Sequence, residues 1–159
     1  MNVEIVSRAL AMGVGATLVM DGWLLLLQRL GVPVANFALL GRWLGHLFQG
    51  TWLRGGPAKA RAIKGEAVLG WTAHYATGIA FAASLILIKG VEWARAPTFI
   101  PALVMGSVTV LAPLFVLQPA MGAGVASSKT AAPLLNSVKS LANHAVFGVG
   151  LYLAAVVSA

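Results

Sequence analysis

Long apolar stretches separated by short polar segments dominate the chain. They run over about residues 5–27, 67–88, 99–117 and 134–157. A bilayer core about 30 Å thick needs a helix of about 20 residues, so each stretch is long enough to cross it. The pattern predicts an all-α fold, an integral membrane four-helix bundle that forms a single membrane domain over residues 1–159.

The segment between the first two stretches has a helical pattern of its own. Over about residues 36–49, apolar side chains fall on one side of a helix and polar side chains on another. The apolar side carries Phe37, Leu40, Leu44, Leu47 and Phe48, and the polar side carries Arg42, His46 and Gln49. A helix of this length is too short to span a bilayer, so we expect an amphipathic interfacial helix or a re-entrant segment.

Composition agrees with a membrane location. Hydrophobic residues make up 59% of the chain and charged residues 9%, whereas a soluble domain carries about 25% charged residues. The chain has no cysteine, which excludes disulfides and thiolate chemistry. Its net charge of +7 does not predict nucleic-acid binding, because the basic residues cluster in loops beside apolar stretches.

The distribution of these basic residues predicts an orientation. Eight lysines and arginines lie in the first and third loops, and three, Arg8, Lys89 and Arg95, lie on the other side. By the positive-inside rule both loops face the cytoplasm. We therefore expect a multi-pass protein of the bacterial inner membrane, with both termini in the periplasm and membrane lipids as partners.

Three stripes of small or polar residues spaced four apart run along the first, second and fourth apolar stretches, and each carries an ionisable residue. The residues are Asp21, His74 and His144. Such stripes favour helix contacts or a cavity over lipid exposure. At 1.5 Å per residue, all three fall within roughly 6 Å of the midplane on its cytoplasmic side. The sequence thus predicts an intramembrane polar site formed by these side chains.

Other polar residues are expected around this site, at its mouth or in a second layer. Glu66 and Gln118 lie nearer the cytoplasmic end of their helices, and Arg42 and His46 cap the site when their helix folds back. The complete set is Glu66, Arg42, His46, Gln118, Asn143 and Tyr152.

Several functions fit such a site. A carboxylate near histidines in a low-dielectric layer can relay protons or bind a cation or polar solute, which favours a small transport-related or ligand-binding protein. The alternative is a structural or accessory subunit of a larger membrane complex or homo-oligomer. Four helices enclose little space for a transport path, so a second copy or a partner membrane protein is expected.

No cofactor or metal site is predicted. Two histidines and a carboxylate can bind iron or zinc, and His74 and His144 could ligate haem, but neither HxxxH nor ExxH spacing occurs among them. The "SSKT" string at 127–130 lacks the spacing of a phosphate loop. Without a set of nucleophile, base and orienting group, the sequence favours a non-enzymatic role.

Five motifs in order resemble a family of small bacterial inner-membrane proteins, the domain of unknown function 2938 family. They are "GATLVMD" (15–21), "GRWLGH" (41–46), "GEAVLGWTAHYATGIAF" (65–81), "TVLAPLFVLQPAMGAGVASSKT" (109–130) and "HAVFGVGLY" (144–152). The resemblance covers nearly the whole chain. It implies a four-helix membrane protein and brings no reaction, ligand or catalytic residue.

Overall fold

The computed structural model describes residues 3–53 and 55–159. Helices make up 76% of the fold, and the described residues contain no β-strand. The α-helices are α1 (Val3–Arg29), α2 (Phe37–Phe48), α3 (Glu66–Lys89), α4 (Val91–Arg95), α5 (Phe99–Val108), α6 (Gln118–Ala120) and α7 (Pro133–Val157). Two 3₁₀ turns, Pro57–Lys59 and Val125–Ser127, and a π-helical turn, Pro113–Leu117, complete the set.

Four helical segments are long and apolar enough to cross a membrane, by length and composition. They are Val3–Arg29, Glu66–Lys89, Phe99–Ala120 and Pro133–Val157, with mean hydropathies of 1.8, 1.4, 2.2 and 1.6. Their bounds match the four predicted stretches to within three residues. The helical fold class is confirmed, and the pattern is that of a multi-pass membrane protein.

The predicted short helix between the first two spans is also present, as α2. It begins after Asn36, whose side-chain oxygen accepts a hydrogen bond from the Ala38 N–H at 3.0 Å. This cap satisfies one of the N–H groups that the first turn leaves without a helical partner. The helix ends at Phe48, which is 74% exposed.

Proline interrupts the third span. Pro113 has no N–H to donate to the preceding turn, and the chain widens into a π-helical turn from Pro113 to Leu117. The turn closes when the Gln118 N–H donates to the Pro113 carbonyl, five residues earlier. Pro113 thus loosens the hydrogen bonding of this helix, and the helical segment ends at Ala120.

The chain packs as two compact units, and each is described by itself. The first comprises residues 3–34, 75–109 and 141–159. Its core includes the fully buried side chains of Met12, Ile86 and Leu151. Small residues bring its helices close together: a Cβ on Gly106 would meet the backbone of Gly148. Such contacts between small residues are typical of helices packed in membranes.

A cluster of ion pairs and hydrogen bonds connects three segments of the first unit. Glu4 bonds to Arg95 at 2.7 Å and to Arg8 at 3.1 Å. Arg8 also donates to the carbonyls of Ala94 and Ser158. Hydrogen bonding to Glu4 raises the pKa of Arg95. The cluster therefore fixes the start of α1 against α4 and the end of α7.

The second unit comprises residues 35–53, 55–74 and 110–140. Here α2 crosses the first turns of α3, because both helices carry glycine at the contact. A Cβ on Gly41 would meet the Glu66 carbonyl, and one on Gly70 would meet the Phe37 carbonyl. This division describes packing, and the single membrane domain stays a prediction.

Candidate functional site

Asp21 lies on α1 in the first unit, where it is half-buried. Its Oδ2 accepts a hydrogen bond of 2.8 Å from the hydroxyl of Tyr75 on α3. Asp21 therefore faces another helix of the same unit, as the stripe of small residues on α1 predicts. In that stripe Thr17 is 1% exposed, and its hydroxyl is the group that a Cβ on Gly78 would meet.

His144 lies on α7 and contacts Thr109, the residue that follows α5. The Thr109 Oγ1 lies 2.6 Å from the Gly106 carbonyl oxygen and 2.8 Å from the His144 Nδ1. A hydroxyl has one hydrogen, and a carbonyl oxygen cannot donate. The Thr109 hydroxyl must therefore donate to Gly106, and the His144 Nδ1–H must donate to Thr109. Neutral His144 then carries its proton on Nδ1 and a lone pair on Nε2.

His74 lies in the second unit and stacks on an aromatic ring from α2. The His74 and Phe37 ring centroids are 4.1 Å apart with an interplanar angle of 27°. Trp71 packs edge-on against His74 at 5.7 Å. His74 is thus embedded in an aromatic cluster between α2 and α3. The grouping of Asp21, His74 and His144 in one site stays a prediction.

Two of the predicted mouth residues, Arg42 and Glu66, are joined directly. Arg42 Nη2 and Nε donate to the two carboxylate oxygens of Glu66 at 2.7 and 2.9 Å. Arg42 Nη1 also donates to the carbonyls of Pro57 and Ala60, at 3.4 and 3.2 Å. Hydrogen bonding to Glu66 raises the pKa of Arg42. This fork joins α2, α3 and the loop between them, so its evident role is to hold the second unit together.

His46 and Gln118 have separate partners in the second unit. The His46 Nε2 lies 2.9 Å from the Arg61 carbonyl oxygen. The Gln118 amide donates to the Ser140 hydroxyl at 3.1 Å, while its Oε1 is buried without a hydrogen-bond partner in the described part of the chain. Each residue therefore connects two segments of this unit.

Asn143 and Tyr152 lie on the part of α7 that belongs to the first unit. The Asn143 Oδ1 accepts a hydrogen bond from the Trp23 indole N–H at 2.9 Å, which joins α7 to α1. The Tyr152 ring packs edge-on against Phe99 at 5.4 Å. Both residues thus make interhelical contacts.

Among the residues that the structure describes, no group of three or more His, Cys, Asp or Glu side chains could hold a metal ion. The three-ligand arrangement considered for iron or zinc is therefore not formed within residues 3–53 and 55–159.

The model of one protein family, Protein of unknown function (DUF2938), matches residues 10–158. The chain belongs to this family. The predicted membership is thereby confirmed over nearly the whole chain. No curated protein and no solved structure matches it.

In this DUF2938 chain, the sequence did not predict the hydrogen-bond partners of Asp21, His144 and Asn143. These partners are Tyr75, Thr109 and Trp23. Each is a side chain with an apolar body or methyl group and one polar atom, so it reads as part of an apolar stretch. A usable signal was nonetheless present. A buried polar group in a membrane needs a partner, and hydroxyl and indole groups within the spans are the available donors.

Proposed function

We propose that this protein is transport-related and passes protons through an intramembrane polar site that contains Asp21 and Tyr75. The observation that carries the proposal is the 2.8 Å hydrogen bond between these side chains within the first unit. A carboxylate near the bilayer centre costs about 2.5–3.5 kcal/mol to insert. A hydrogen bond between membrane helices stabilises their packing by about 0.6 kcal/mol on average. Stability alone is therefore a weak reason for placing an aspartate there.

The chemistry of the pair supports a proton role. A tyrosine hydroxyl and a carboxyl group can each hold or release a proton, and at 2.8 Å the proton lies between two oxygen atoms. In the same unit His144 donates its Nδ1–H to Thr109, and an imidazole is a side chain that can take up and release protons. These groups are the kinds of side chain used in proton relays within membranes.

Proton flux into proteoliposomes tests the proposal. The purified protein is reconstituted with a pH-sensitive dye inside the vesicles, and a potassium diffusion potential drives protons inward. We expect wild-type flux above that of empty vesicles. In Asp21→Asn the flux should fall by about a hundredfold or more, which is the low end of acid–base effects. Tyr75→Phe should also reduce the flux, because it removes the hydroxyl and keeps the ring.

The matched control is Ser84→Ala, which also removes one hydroxyl from α3. The Ser84 hydroxyl is exposed and bonds to the Ala80 carbonyl of its own helix, so its loss should leave the flux unchanged. Wild-type flux equal to that of empty vesicles would overturn the proposal. So would wild-type flux in a folded Asp21→Asn protein.

A structural or accessory subunit is the alternative role, and the hydrogen bond from Trp23 to Asn143 favours it. This contact joins α1 to α7 at 2.9 Å between two groups that do not titrate, which is what helix packing alone requires. Under this alternative, the wild-type protein and Asp21→Asn both give the flux of empty vesicles. The protein then extracts in mild detergent as a homo-oligomer or with a partner membrane protein.

We further propose that the protein lies in a bacterial inner membrane with both termini in the periplasm. The excess of basic residues in the first and third loops supports this orientation. Because the chain has no cysteine, single cysteines can report it. In intact spheroplasts a membrane-impermeant maleimide should label Ala159→Cys and leave Lys64→Cys unlabelled until the membrane is opened. The reverse labelling would overturn the orientation.

A further inference from the structure

A cavity of about 140 Å³ lies in the second unit, lined mainly by apolar side chains. Its walls come from the start of α2, the 3₁₀ turn after it and the segment around α6. They include Ala35, Phe37, Leu40, Ala58, Leu117 and Met121. A cavity of about 150 Å³ lined by Leu, Ile and Phe stays dry and takes up benzene in another protein. The size and lining therefore suit a short length of hydrocarbon.

Polar contacts hold the walls of this cavity in place. Arg42 donates to the carbonyls of Pro57 and Ala60, which flank the turn that lines the cavity. A Cβ on Gly56, the residue before this turn, would meet the Met121 backbone, so the two loops touch directly. The cavity is thus formed before any ligand enters, as is usual for ligand sites.

A lysine follows the wall residue Ala58 directly in the sequence. This residue, Lys59, is exposed and lies in the chain between the two carbonyls that Arg42 holds. Its backbone is therefore fixed while its flexible four-carbon side chain can reach outward. Trp52 lies in the same unit, 63% exposed. Tryptophan is enriched at the level of lipid headgroups, which fits this segment at the membrane surface.

We propose that this cavity binds part of an acyl chain of an anionic phospholipid, whose phosphate is held by Lys59. The apolar lining suits the hydrocarbon, and the adjoining cation suits the headgroup, so one molecule satisfies both features. Basic residues near the membrane surface attract anionic lipids. The inference rests on the second unit alone and is independent of the proton site at Asp21 and Tyr75.

Photo-crosslinking tests where the acyl chain lies. The protein is reconstituted with phosphatidylglycerol that carries a diazirine in one acyl chain, irradiated and digested for mass spectrometry. We expect crosslinks on residues 35–40, 57–58 or 117–121. Ala58→Leu should reduce these crosslinks because Ala58 lines the cavity and a larger side chain occupies part of it. Ala62→Leu makes the same change at an alanine of the same loop that is not among the lining residues, and it should leave the crosslinks unchanged. Crosslinks confined to other segments would overturn the proposal, as would equal labelling of both variants and wild type.

Competition with phosphatidylcholine tests the headgroup. Excess unlabelled phosphatidylglycerol should suppress the cavity crosslinks more strongly than excess phosphatidylcholine does. Lys59→Gln should reduce this preference about fivefold, the equivalent of about 1 kcal/mol per surface cation. Lys64→Gln, which removes an exposed cation further along the loop, should reduce it less. Equal effects of both substitutions would indicate diffuse surface attraction and overturn the role of Lys59.

Discussion

Replacing Gly106 with alanine should separate two helices of the first unit. A Cβ at this position would meet the Cα and N of Gly148, and it would lie 2.7 Å from the His144 carbonyl oxygen. Ordinary contacts of a Cβ begin at 3.4 Å, so α5 and α7 must move apart by about 0.7 Å or more. The obstructing atoms belong to the backbone, so a change of side-chain rotamer cannot remove the clash.

The expected free-energy change has two parts. Overpacking of this kind costs about 1–3 kcal/mol. Alanine is favoured over glycine within a helix by about 0.5–1 kcal/mol. Gly22→Ala supplies the control, because Gly22 lies within α1 and nothing stands within 4 Å of its Cβ position. Both variants gain the same helix preference, so their difference isolates the overpacking.

The assay is unfolding in mixed micelles by increasing amounts of SDS, followed by circular dichroism. The free energy of unfolding of Gly106→Ala should fall about 1–3 kcal/mol below that of Gly22→Ala. Adding Gly148→Ala to Gly106→Ala should cost less than Gly148→Ala alone, because the helices are already apart. A difference below about 0.5 kcal/mol between Gly106→Ala and Gly22→Ala would refute the packing argument.

Three further substitutions test other contacts. Arg42→Lys should lower the midpoint of thermal unfolding, because a lysine cannot form both parallel bonds to Glu66; an unchanged midpoint would contradict this. Trp23→Phe should lower the free energy of unfolding by about 0.6 kcal/mol, and a double-mutant cycle with Asn143→Leu should show the same coupling energy. Ala126→Gly should raise the free energy of unfolding by up to about 1.5 kcal/mol. It relieves the left-handed backbone at Ala126, with φ of 48°, which costs about 1–2 kcal/mol, and the greater backbone entropy of glycine offsets about 0.5–1 kcal/mol of this gain; destabilisation in SDS unfolding would contradict this.

The sequence predicted the helices well because each one has a strong local signal. Long apolar runs mark the four spans, and the amphipathic spacing over 36–49 marks α2. The third span shows the limit of such signals. Pro113 predicts a break in the hydrogen bonding, but the particular π-helical turn from Pro113 to Leu117 depends on how the next residues pack.

The partners of the polar residues were harder to predict, because they depend on how each helix is rotated about its axis. On α3, a spacing of four residues identifies the helix face that contains His74. The hydroxyl that bonds to Asp21 belongs to Tyr75, the next residue along the chain. Successive residues on a helix point about 100° apart. The rotation in the first unit is fixed by close contacts such as Gly13 against Ile79, which a pattern along one chain does not specify.

The chemistry of the partners separates a structural carboxylate from one suited to proton transfer. Arg42 keeps its proton under all conditions in which proteins fold, so its two bonds to Glu66 form a fixed charge pair that joins two helices and a loop. Tyr75 donates its hydroxyl hydrogen to Asp21, so this bond joins two oxygen acids and contains no fixed positive charge. In Asp21→Asn the amide oxygen can still accept from Tyr75, and the helix contact survives while the carboxyl proton site is lost. For that reason, a change in flux without a change in stability is the result that distinguishes a proton site at Asp21 from an interhelical contact.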